Sequence, residues 1–139
     1  MSFTEVIHWG VLAIALVVGA AYAFVAQDAT TLEEVQGALL LGIVVLVVAV
    51  VVFAVAVAVP MAIRSKGNLA DERDDAAEAG AVPWAFSVLV IGATWAVTDI
   101  LTRDAPDEIR TVNILLGSIF AAACVGSIVT LARYRMGIR

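Results

Sequence analysis

Few side chains in this sequence can do chemistry, and most of them stand near the ends of long apolar runs. Asp99 lies two residues from the end of one run, and Asn113 begins the next after a short connection. Facing each other, the two would make a polar site for a cation or a proton, because ionisable groups inside a membrane mark such pathways. The plainer expectation is an interfacial carboxylate reaching water beside Asn113, since an acid at the end of a span is far less costly than one at its centre. In a charged stretch of Asp71, Glu72, Arg73, Asp74, Asp75 and Glu78, the acids Asp71, Glu72, Asp75 and Glu78 offer carboxylates of the kind that hard divalent cations take. Asp71 and Asp75 share a helix face, yet no EF-hand spacing is present. A solvated acidic face serving as an interaction loop is the expectation. His8 is the only histidine and Cys124 the only cysteine. One histidine can ligate a haem from one side, but bis-His ligation within the chain is impossible. An interfacial position is the simpler reading. Cys124 excludes an intrachain disulfide and any cysteine cluster, and among Ala121, Ala122, Ala123 and Gly126 it reads as a small packing residue. No Ser–His–Asp set, zinc motif or phosphate-binding glycine loop occurs. No enzyme, cofactor or metal is expected.

The elements that position these residues follow from hydropathy. Gly37 to Ile63 is free of charge and of side-chain hydrogen bonders. As a helix it would extend about 40 Å, against about 30 Å of bilayer hydrocarbon. Further apolar runs give four spans at about 7–26, 36–63, 82–101 and 112–132. Of the 139 residues, 63% are hydrophobic and only 15% charged, so there is no room for a separate soluble domain. The expected fold is all-α, a compact integral membrane four-helix bundle of two transmembrane hairpins, because backbone in lipid must satisfy its own hydrogen bonds. The second span outruns the bilayer and must tilt or bend. Pro60 removes a backbone donor and frees the carbonyl of Ala56, which predicts a bend there. Residues 64–81 form a loop with a short helix from about Leu69 to Ala79, which Gly80 and Pro83 then break. Met1–Val6 holds no Lys or Arg, so the first span does not read as a cleavable leader.

Charge sets the expected orientation. The second loop holds Arg64, Lys66 and Arg73, and the tail holds Arg133, Arg135 and Arg139; the third loop holds only Arg103 and Arg110. By the positive-inside rule both termini and the 64–81 loop are cytoplasmic, in a cell membrane. Trp9, Trp84 and Tyr134 would anchor the same interface. The net charge of −5, with Lys66 the only lysine, points to a salt-adapted, halophilic source and excludes nucleic acid as a partner.

Ser118, Ala122, Gly126 and Thr130 recur at four-residue spacing, and Ala15, Gly19 and Ala23 do the same in the first span. Small residues so spaced let helices approach closely. They are expected to meet helices of the same chain; a homo-oligomer is the alternative. Asp71-Glu72-Arg73-Asp74 before the third span and Arg133-Tyr134-Arg135-Met136-Gly137 at the end resemble the small four-span membrane proteins of unknown function of the domain-of-unknown-function 2178 type. That resemblance implies a fold and gives no reaction. The expected role is interaction or regulation at the bilayer, through another membrane protein. The alternatives are a small ion or solute transporter or channel, and an anchor subunit of a larger complex. Small multidrug exporters match only in size, since no carboxylate lies between Ile7 and Ala26.

Overall fold

A computed structural model describes residues 3–64, 72–103 and 107–137. Helix α1 runs Phe3–Ala26 and α2 runs Leu32–Phe53; a π turn at Ala54–Ala58 leads into α3, Val59–Arg64. Helix α4 runs Glu72–Thr102 and α5 runs Glu108–Met136. No strand occurs among the described residues. Four segments, Phe3–Ala26, Leu32–Val57, Asp75–Thr102 and Glu108–Met136, are long and apolar enough to cross a membrane. We call the end carrying Phe3, Glu72 and Met136 the base, and the opposite end the crown.

The helices start and stop where local chemistry satisfies their free backbone groups. At the crown, Thr31 caps α2. Its hydroxyl accepts from the N–H of Glu34 at 3.3 Å, and Glu34 Oε2 accepts from the N–H groups of Thr31 at 3.2 Å and Thr30 at 2.7 Å. This reciprocal capping box begins α2 four residues before the expected 36, because the box satisfies donors that would otherwise need water. Thr31→Ala is expected to lower stability by about 1 kcal/mol, read from thermal unfolding in detergent. At α5, Asp107 Oδ1 accepts from the N–H of Arg110 at 3.1 Å, which places Arg110 in the first helical turn. Gly137 ends α5 at φ 66°, a left-handed conformation that glycine adopts without steric penalty.

Pro60 produces the expected disturbance, and its form is a π turn. The N–H of Val59 reaches back five residues to the carbonyl of Ala54. The wider turn gives room where the proline ring would otherwise press on the carbonyl of Ala56. The expected break at Gly80 and Pro83 is not there: α4 is continuous through both. Four of the six residues from Ala76 to Ala81 are alanine, whose helix propensity outweighs one glycine, and Pro83 sits where the apolar run begins. Residues 72–81 are therefore the base end of one long helix. Of the loop expected at 64–81, residues 65–71 lie outside the described residues, as do Leu69 and Ala70 of its short helix.

Helix α5 is the central element. It packs along α4 and, on another face, along α1; α1 in turn carries α2, which touches α5 lightly. The order in space is α2, α1, α5, α4. Val18 on α1 is the most buried large side chain, at 1% exposure. Tyr22, Ala26 and Ala38 form a core with Leu39, Leu116 and Phe120 near the crown. Farther down, the Phe53 ring lies where a side chain at Gly10 would be. The outer sides of α2 stay apolar, with Leu40, Val44, Val47, Val51 and Val55 all exposed. A water-soluble chain does not leave so continuous an apolar face uncovered.

Candidate functional site

The polar groups gather at the two ends. At the crown, Asp99 of α4 is 7% exposed. Its Oδ1 accepts from Nε of Arg103, one turn on, at 3.0 Å and pairs with Nε of Arg110 on α5 at 3.3 Å. Both guanidiniums are roughly half exposed, at 41% and 46%. Oδ2 of Asp99 is buried and has no hydrogen-bond partner among the described residues. Asn113 is held elsewhere: its Oδ1 accepts from the Tyr22 hydroxyl of α1 at 2.6 Å. The two expected site residues thus have separate partners. Asp99 is a buried, arginine-paired carboxylate where a hydrated interfacial one was expected. Two features produce this. Helix α4 continues to Thr102, so Arg103 falls one turn beyond Asp99, and the Asp107 cap brings Arg110 into helical register with it.

At the base, Glu5 of α1 is buried and accepts from Arg135 of α5 through Nη2 at 3.1 Å and Nε at 3.3 Å. The same guanidinium lies 5.7 Å from the centre of the Trp9 ring. His8 Nε2 stands 3.3 Å from Glu78 Oε1, joining α1 to α4, while its Nδ1 is buried without a partner among the described residues. Of the expected acidic stretch, then, Glu78 has a definite partner and Asp75 is exposed. Glu72, Arg73 and Asp74 open α4, and Asp71 lies outside the described residues. No three His, Cys, Asp or Glu side chains gather at metal-binding distance among the described residues.

The small-residue stripe of α5 meets α4. Gly92 lies directly against Ser118, and a side chain at Gly126 would come within 3.4 Å of the Ala85 methyl group. Ala122 and Thr130 are buried, and the Thr130 hydroxyl donates to the carbonyl of Gly126 at 3.0 Å. Helix α4 answers with its own small positions, Ala77, Ala81 and Ala96, each at most 3% exposed. Ala77 and Ala81 stand at the same four-residue spacing as the α5 stripe, whereas Ala96 lies fifteen residues on and carries no such signal. In the sequence Arg103, Arg110 and Arg135 carry only an orientation signal, Glu5 carries none, and nothing local pairs positions 5 and 135. Gly80 makes a different contact, lying under the Arg133 guanidinium. That group is the end of a flexible side chain, so Gly80→Ala is expected to change stability by less than about 1 kcal/mol in detergent melts.

Two grooves border α5. One, about 570 Å³, runs between α1, α4 and α5 below Ala122 and Gly126 and carries the His8–Glu78 contact at its base end. The other, about 480 Å³, lies between α1 and α5 and is lined by Gly19, Ala23, Gly117, Phe120 and the partly exposed Cys124. No protein-family model, curated protein or solved structure matches the chain.

Proposed function

We propose that the chain is a multi-pass protein of the cell membrane, with both termini cytoplasmic, that acts through contacts with other membrane components and carries out no reaction of its own. One observation supports this most: the buried carboxylates Asp99 and Glu5 pair with arginines at the two ends of the bundle, while the stretch between presents apolar side chains outward on every crossing helix. Polar groups so arranged hold helices in register and suit a scaffold. Membership of the four-span domain-of-unknown-function 2178 type is part of the same proposal, resting on residues 71–74 and 133–137. The transporter alternative is weaker, because the Asp99 carboxylate faces two guanidiniums and has no net charge left for a transiting cation.

Alkaline carbonate extraction of native membranes is expected to leave the chain in the pellet. Cysteine placed at position 2 or 139 of a Cys124→Ala chain should resist an impermeant maleimide in intact cells and react after lysis. Labelling from outside would reverse the topology. Solubilised gently from its own membranes, the chain should run with a stoichiometric membrane partner. Cation- or proton-driven flux in liposomes that disappears with Asp99→Asn would replace this reading by the transporter.

A further inference from the structure

The groove between α1 and α5 continues past the core. Ala26, Gln27 and Asn113, which line its crown end, also line a second space of about 430 Å³. The other wall of that space includes Asp107 and Arg110. The two form one cleft, with an apolar length and a polar mouth. The length is walled by Ala15, Gly19 and Ala23 on α1 and Gly117 and Ala121 on α5. Side chains this small leave room that a row of leucines would fill.

The mouth has more donors than acceptors. Arg110 is ion-paired with Asp99 through Nε at 3.3 Å, and no side-chain hydrogen bond from its guanidinium is made among the described residues. Asn113 accepts from Tyr22 through its oxygen, which leaves its amide N–H groups to donate. Gln27 adds an exposed amide. Asp107 is the one acid on this wall, and one of its oxygens already caps the Arg110 N–H. An acceptor-rich anionic head matches such a mouth; a hydroxyl head would bring no charge to the two guanidiniums that share the single Asp99 carboxylate. We propose that this cleft seats one lipid, its hydrocarbon chain along α1 and α5 and its phosphate-bearing headgroup on Arg110. The proposal rests on the membrane reading above.

The full chain, purified in detergent, is mixed with phosphatidylglycerol or with diacylglycerol of the same chains, and retained lipid is counted by native mass spectrometry. The unaltered protein is expected to hold one phosphatidylglycerol and to release diacylglycerol. Arg110→Gln should reduce retention about tenfold or more, the loss of a charge-assisted contact. Arg103→Gln is the control: it removes the other guanidinium on Asp99 without touching the cleft, and it should retain lipid as the unaltered chain does. Gly117→Leu should abolish retention by filling the trough, and Ala121→Leu serves the same end if the first does not fold. Equal retention of the two lipids, or of phosphatidylglycerol by Arg110→Gln and the unaltered chain, overturns the headgroup assignment. Unchanged retention in both leucine variants overturns the placement of the chain. A lipid-free dimer that Gly117→Leu dissociates would give the cleft to a second copy and also overturn the proposal. Failure of the membrane reading itself would show separately, as release of the chain by carbonate.

Discussion

Gly92→Val is expected to destabilise the protein by about 3 kcal/mol, the upper part of the range for overpacking a tight contact. The first side-chain carbon at position 92 would fall on the Ser118 Cβ. That carbon is fixed by its own backbone, so no rotamer change relieves the overlap and α4 must move away from α5. Gly126→Ala is the contrast. Its new methyl would meet Ala85 at 3.4 Å, close to ordinary contact, and should be nearly neutral. Gly126→Leu, which outgrows that space, should cost about 1–3 kcal/mol. The decisive measurement is a double-mutant cycle in detergent melts. Gly92→Ala should be rescued in part by Ser118→Gly, which removes the colliding carbon, and not by Ser118→Ala, which keeps it. Equal melting of Gly92→Ala and Gly126→Ala would deny the close contact.

The second large effect is at Asp99. Asp99→Ala removes the single acceptor that two guanidiniums share. Breaking a buried ion pair costs about 3–5 kcal/mol when the orphaned charge stays buried, but Arg103 and Arg110 are roughly half exposed and can rehydrate. The expected loss is therefore about 2 kcal/mol. Arg103→Gln and Arg110→Gln should each cost less, since either leaves the other partner in place. Asp28→Asn, on an exposed carboxylate, should fall within about 0.5 kcal/mol of the unaltered protein. Unfolding of the four variants under one detergent condition tests the ranking. An Asp99→Ala variant as stable as Asp28→Asn would return Asp99 to the role of a hydrated surface acid.

The crossing helices were legible because their signal is local and repeated. An uncharged run such as Gly37–Ile63 has no stable alternative to helix in lipid, and Pro60 marks the disturbed turn by its own chemistry. Helix ends were legible in principle: Thr31-Leu-Glu-Glu34 is a capping box in the plain sequence, and Asp107 stands three residues before Arg110. The α4 boundary misled because Gly80 and Pro83 are breakers by local rules, while continuity through them depends on the alanine run before and the apolar span after. The end-to-end pairs were not legible. Glu5 with Arg135, Tyr22 with Asn113 and His8 with Glu78 join positions far apart in the chain, and each belongs to a set of charges or polar groups with several equally plausible partners. The sequence sets Asp99 beside Asn113 and not beside its arginines for the same reason: its second guanidinium comes from another helix.

The central place of α5 bears on the order in which the protein is built. Ribosomes deliver α1 and α2 first and α5 last among the four long helices, yet α5 supplies the partners of the earlier ones: Arg135 for Glu5, Asn113 for Tyr22, Arg110 for Asp99. Until it arrives, α1 and α2 have only their mutual seam, and α4 has no long neighbour. The growing chain must therefore carry Glu5 and Asp99 with their α5 partners not yet made. Synthesis stalled before Glu108 would leave α1 seated on α2, α4 without its long neighbour, Glu5 without Arg135, and Asp99 held by Arg103 alone.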